Sequence, residues 1–177
     1  ATRVWPTRRP GVPWRLHLAR RSIREDTGKP PWQVPAGGSS PLGTLGHVGL
    51  GLELAHDISE GRMPVPDRLY VAFGTGGTAA GVWIGLRLSG LDTEVVAVRV
   101  VDLVYCNTWG LKRLANRTVK LLPETPKLDG LRVVHDQIGQ GYGYGVPQGD
   151  RAQALLKERC SLKVEPTYTA KALAACL

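Results

Sequence analysis

No apolar run in the 177 residues approaches the roughly 20 that span a bilayer as a helix. The first residues hold no apolar segment of the secretory kind. Cysteine is scarce: Cys106, Cys160 and Cys176 have neither metal-like nor redox-like spacing. So odd and sparse a set excludes a disulfide scaffold. It points to a reducing compartment and a cytoplasmic location, with buried or idle thiols. His17, His47, His56 and His135 are scattered, so no zinc-like cluster and no metal site is expected. Acidic residues are missing from residues 1–24, which carry seven of the 23 Lys and Arg residues. Setting those aside leaves 16 basic against 15 acidic residues. The net charge of +8 is therefore a property of one end, and the rest is nearly neutral. Charge alone gives only salt-sensitive, sequence-blind attraction to nucleic acid, and no such partner is expected. Residues 1–30 read as a basic, poorly structured leader. Pro6, Pro10 and Pro13 oppose the amphipathic helix that a transit peptide would need. No internal repeat is present.

Hydrophobic residues make up 42% and charged residues 21%, ordinary for a globular chain, and residues 31–177 suffice for one α/β domain. Strand and helix patterns alternate there. Strands are expected at Arg68–Phe73, Thr93–Val100, Leu131–Val134 and, briefly, Leu162–Val164. Helices are expected near Gly43–Glu60, Thr78–Leu88, Thr108–Leu122, Gln148–Arg159 and from Tyr168 to Leu177. On the first helix Leu45, Val48, Leu52 and Ala55 share a face, and Gly61 suits its C-terminal cap. The run Thr93–Val100 is almost continuous in valine and alanine, the pattern of a strand covered on both faces. The alternation implies a doubly wound, mostly parallel sheet flanked by helices.

Four segments carry chemistry. Phe73-Gly74-Thr75-Gly76-Gly77-Thr78-Ala79-Ala80-Gly81 breaks a strand into a helix. Unpaired N–H groups at such a helix start, with its dipole, form a cup for phosphate. The same residues satisfy the loose dinucleotide pattern G-x-G-x-x-A, with Asp102 as a slightly late ribose acid. A tight turn without ligand is the plain alternative. Gly37-Gly38-Ser39-Ser40-Pro41 is a second glycine-rich helix entry, with Ser39 or Ser40 as cap and Pro41 in the first turn. Gly141-Tyr142-Gly143-Tyr144-Gly145-Val146-Pro147 sets two tyrosines on a loop, where a phenol can serve as acid or base. In Glu165-Pro166-Thr167-Tyr168-Thr169-Ala170-Lys171, Tyr168 could stack on a flat ring and Thr169 could meet a ring nitrogen.

In this order, the four segments resemble the D-cysteine desulfhydrase / 1-aminocyclopropane-1-carboxylate deaminase family. Its members are pyridoxal-phosphate enzymes of tryptophan synthase β-like fold. The resemblance covers about residues 30–177. It implies pyridoxal 5′-phosphate as cofactor, with Gly74, Thr75, Gly76, Gly77 and Thr78 on its phosphate. Tyr168 would lie beside the pyridine ring, Thr169 would face the ring nitrogen, and Tyr144 would be the active-site tyrosine. The deaminase branch is expected to carry a glutamate at the position of Thr169, so the threonine leans toward desulfhydrase chemistry. A small amino-acid substrate, release of a 2-oxo acid and ammonia, and a homodimer in the full-length protein are implied as well. The family's Schiff-base lysine lies in an upstream Lys-x-Arg-Lys-like motif that residues 1–30 do not match. The resemblance therefore implies a cofactor-binding half, cut at both ends and inactive by itself.

Overall fold

Valine and alanine fill Glu94–Arg99 because both faces of that strand are covered: Val95, Val96, Ala97 and Val98 are wholly buried. The structure, a computed structural model, describes residues 12–177. They divide at Val34/Pro35 into two compact units, whereas a boundary after residue 30 was expected.

In the first unit, α1 runs from Val12 to Thr27, where a poorly structured leader was expected. Pro13 does not prevent the helix, because it occupies the first turn, where no intrahelical N–H bond is lost. Arg21 pairs with Glu25 one turn on, at 2.8 Å, an exposed pair that solvent largely screens. Gly28, with φ of 71°, donates its N–H to the Arg24 carbonyl and ends the helix in a left-handed turn. Pro6 and Pro10 lie outside the described residues.

The second unit is built on three parallel strands in the order β1 (Arg68–Phe73), β2 (Glu94–Arg99), β3 (Leu131–Val134). Val71 pairs with Ala97, and Ala97 with Val133. Helices α2 (Pro41–Ser59), α3 (Gly77–Leu88), α4 (Thr108–Val119), α5 (Pro147–Cys160) and α6 (Thr169–Cys176) complete it. On one face of the sheet Phe73, Val95 and Ala97 join Ile84, Leu86, Leu111 and Ala115 of α3 and α4 in the main core. On the other, Val96 and Val98 pack with Tyr70, Val134 and the alanines Ala172 and Ala175 of α6. Helices on both faces are what a parallel sheet requires, and the doubly wound α/β expectation holds. Leu162–Val164 joins no sheet, so the fourth expected strand is absent; Val164 instead gives its carbonyl to the Gln153 side chain, 2.9 Å away.

Glycines decide how α2 meets α3. A methyl at Gly85 would overlap the Val48 carbonyl oxygen, and one at Gly81 would overlap His47 Cβ. The two backbones therefore touch along Thr44, Val48 and Gly51 on α2, which are buried. This face replaces the expected one in part: Leu45 packs on the core, whereas Leu52 is exposed. Close approach at glycine favours Gly51 over the adjacent leucine as the contact residue. At α2's start Ser40 is the cap, its Oγ accepting from the Gly43 N–H at 3.0 Å with Pro41 next in the chain. Gly61, with φ of 71°, lies just past its end.

Candidate functional site

The strands of the sheet end at three loops, and the candidate residues lie on them and at the start of α6. Gly74 follows β1 directly. The chain turns through Gly76, whose φ is 95°, and enters α3 at Gly77, with no side chain at its own N-cap position to take the first amides. Left-handed geometry admits glycine here without strain. Space is tight as well, since a methyl would meet Leu111 Cδ1 and Phe73 Cε2 at 3.2 Å each and those side chains would have to give. The bend is held from the side by the 3₁₀ turn Ala36–Gly38 and Ser39. Ser39 Oγ lies 2.7 Å from Thr75 Oγ1 and accepts from the Gly77 N–H at 3.1 Å. Gly37 must be glycine for Thr75 to reach this place, because a methyl there would collide with Thr75 Oγ1. Thr78 Oγ1 lies 3.4 Å from His47 Nε2 on α2.

The start of α6 stands opposite. Tyr168 Cε1 would be 3.9 Å from a methyl on Gly74, so the phenol ring borders the glycine bend. Its hydroxyl is 2.6 Å from that of Tyr142, and the two rings meet edge to face at 67°. That hydrogen bond, helped by burial and the nearby Glu165 charge, pushes the Tyr168 phenol up to about 12. Glu165 caps α6: its carboxylate accepts the N–H groups of Thr167 at 2.6 Å and Tyr168 at 2.8 Å, and that of Thr169 as well. Burial opposes the carboxylate's charge, but the amides of Thr169, Thr167 and Tyr168 outweigh it and hold its pKa below the usual range.

Sequence-predicted residues fall into two groups. Gly74, Thr75, Gly76, Gly77, Thr78 and Tyr168 come together. Thr169 opens α6 beside Tyr168, with its amide on Glu165. Tyr144 lies on the 138–146 loop and is 57% exposed; the tyrosine of that loop that touches Tyr168 is Tyr142. Ser39, His47 and Lys171 were not singled out as site residues. The spacing of Ser39 to helix α2 suggested a cap, a task Ser40 performs, and contacts across 36 or more residues leave no local trace. Cys106 is no nucleophile: it is buried, its Sγ donates to the Phe73 carbonyl at 3.1 Å, and burial pushes its thiol up to about 12. Asp102 lies in the turn after β2, where its carbonyl accepts from the Tyr105 N–H. Among the described residues no cluster could hold a metal, and no helix is long and apolar enough to cross a membrane.

Comparison with known proteins gives this geometry a context. A family model described as "Pyridoxal-phosphate dependent enzyme" matches residues 11–177. Nocardicin C-9' epimerase of Nocardia uniformis subsp. tsuyamanensis is 33% identical over 160 residues, 88% of this chain and 48% of that protein. D-cysteine desulfhydrase of Klebsiella pneumoniae (strain 342) is 32% identical over 150 residues, 85% of this chain and 45% of that protein. The chain thus spans about half the length of the curated relatives it matches. Among solved structures, an ACC deaminase homologue superposes with a TM-score of 0.78 at 24% identity, over 98% of this chain and 52% of that one. A T.th. threonine deaminase does so at 0.52 and 22% identity, over 93% and 64%. At these identities the two structures share the fold.

Proposed function

The chain belongs to the pyridoxal-phosphate-dependent enzyme family, and from that premise we propose that it is the phosphate-holding part of a lyase of the D-cysteine desulfhydrase kind. Its substrate would be a small amino acid, and its products a 2-oxo acid and ammonia. One observation carries the reading: the glycine entry to α3, held by Ser39 on Thr75 and on the Gly77 N–H, borders the Tyr168 ring. The donor set fits a phosphate monoester, since backbone N–H groups and the dipole at a helix start favour a compact anion. Thr75 and Thr78 add hydroxyls at the same bend. When bound, pyridoxal phosphate supplies the electron sink that makes the α-proton of an amino acid removable.

The chain's own residues would divide the remaining work. Gly74 to Thr78 hold the phosphate, and Ser39 fixes the bend by bridging Thr75 and Gly77. Tyr168 packs beside the ring and keeps its proton at neutral pH. Thr169 offers the ring nitrogen a neutral hydroxyl, a weaker hold on a ring proton than a carboxylate gives. Tyr144, on the exposed loop, reaches toward substrate as the acid or base. By themselves the 177 residues would hold phosphate without turnover, since residues 1–30 do not match the Lys-x-Arg-Lys-like motif of the family's Schiff-base lysine.

The test is to express the chain with the in-frame coding sequence upstream of Ala1, add pyridoxal phosphate and follow 2-oxo-acid release from D-cysteine and other small amino acids. Release is expected, with Tyr144→Phe slowing it about 100-fold or more. No release from any of them would refute the reading. The dinucleotide alternative predicts instead that a nicotinamide cofactor binds and that Asp102→Asn weakens it.

A further inference from the structure

Lys171 is wholly buried on α6, yet neither of its hydrogen bonds goes to a carboxylate. Its Nζ donates to the carbonyl of Ile138 at 2.9 Å and to that of Gly141 at 3.3 Å. Ile138 and Gly141 are the two ends of one turn, which the Gly141 N–H closes onto the Ile138 carbonyl at 3.2 Å. The ammonium thus clamps that turn across 30 and more residues of sequence. The next residue is Tyr142, whose hydroxyl rests on Tyr168.

Besides this clamp, the loop has Gly139 against Val146 and the Tyr144 N–H on the Gly141 carbonyl at 3.4 Å. Gly139, Gly141 and Gly143 have φ of 60°, 128° and 87°, conformations glycine reaches freely and must be confined to at an entropic cost. Methyls at Gly141 or Gly143 would touch nothing within 4 Å, and Tyr142 and Tyr144 are exposed. Burying an ammonium without a paired anion is expensive, and burial lowers the pKa of this one while Glu165 partly restores it. A methionine would fill the same space without that cost. The charge has a use only in what it grips.

We propose that Lys171 is a positioning residue: it anchors the Ile138–Gly141 turn to α6, so that Tyr142 meets Tyr168 and Tyr144 is presented from a fixed base. The proposal rests on Tyr168 and the Gly74 bend being the cofactor site, but its test needs no cofactor. It uses the full 177-residue chain.

Two readouts on Lys171→Met decide it. Amide exchange over residues 139–145 should quicken at least 10-fold, while amides of β2 and α3 keep their wild-type rates. By NMR of labelled tyrosine, Tyr168, faced by Tyr142 and Glu165, should stay protonated through about pH 11 in the wild type and titrate nearer 10 in the variant. Tyr142→Phe should move Tyr168 the same way, and adding Lys171→Met to it should move Tyr168 no further. If Lys171→Met does not fold, Lys171→Gln, whose neutral and shorter amide cannot span both carbonyls as the ammonium does, takes its place with the same expectations. Unchanged exchange over 139–145, an unmoved Tyr168, or loss of the whole fold in both variants would overturn the proposal. A failure of phosphate binding at the Gly74 bend would leave these readouts unchanged, so the two readings fail separately.

Discussion

The two walls of the candidate site are built differently. The glycine-bend wall is locked by contact: α2 and α3 touch backbone to backbone at Gly51 and Gly85, and Gly37 admits the Thr75 side chain with no room to spare. The tyrosine wall is held by polar ties instead, with Lys171 on two carbonyls, Glu165 on three amides, and one hydroxyl on another. A phosphate cup gains from rigidity, because dipoles fixed in advance need no reordering when an anion arrives. A loop that must admit a substrate gains from ties that open one at a time.

Breaking the first wall should therefore be global, and breaking the second local. Gly85→Val is the harshest test, since its first carbon already overlaps the Val48 carbonyl. Prying two packed helices apart costs about 3 kcal/mol or more, and thermal melting should show a large fall in Tm or no cooperative transition. Ser39→Ala removes the bridge between Thr75 and Gly77 at about 1–2 kcal/mol; a phosphate ester should bind several-fold more weakly by calorimetry. Gly141→Ala meets no atom, but its φ of 128° strains any side chain. A cost near 1 kcal/mol is expected, seen as faster exchange over 139–145 with Tm nearly unmoved. A global collapse from Gly141→Ala, or a purely local effect of Gly85→Val, would erase the contrast between the walls.

The smallest effect concerns acid. The folded pKa of Glu165 is depressed, so its contribution is fully present above the ordinary value of 4.5. It is lost as pH falls through the lower folded value. Protonation takes away the cap on Thr167, Tyr168 and Thr169, and a cap of this kind is worth about 1 kcal/mol. Below pH of about 4 the amides of these residues should lose protection relative to their intrinsic exchange rates, while those of β2 keep theirs. Glu165→Gln should show that loss already at neutral pH.

Much of this was legible in the sequence, for identifiable reasons. β1, β2 and β3 declare themselves through short apolar runs, and α3 through its glycine-threonine entry, because these signals are local. The resemblance of the four segments led to the family that the comparisons show. Pro13 reads as a helix breaker in sequence, yet in the first turn of Val12–Thr27 it costs no hydrogen bond. Leu162–Val164 has strand-like composition but no neighbouring strand to pair with, a fact that residues 162–164 cannot encode. Hydrophobicity points to Leu52 on the buried face of α2, whereas close approach of the backbones puts Gly51 there instead. Ser39 on Thr75 and Lys171 on Ile138 are ties across 33 or more residues, and only the fold brings them together.

The central claim, that the Gly74–Thr78 bend holds the cofactor's phosphate, can be tested without turnover. Pyridoxine phosphate has an alcohol where the cofactor has its aldehyde, so it cannot react with stray lysines. Titrated into the labelled 177-residue chain, it should shift the amide signals of Thr75, Gly76, Gly77 and Thr78 most, with Tyr168 next, while unphosphorylated pyridoxine leaves the bend untouched. Equal shifts from both compounds, or shifts concentrated away from residues 74–78, would contradict it.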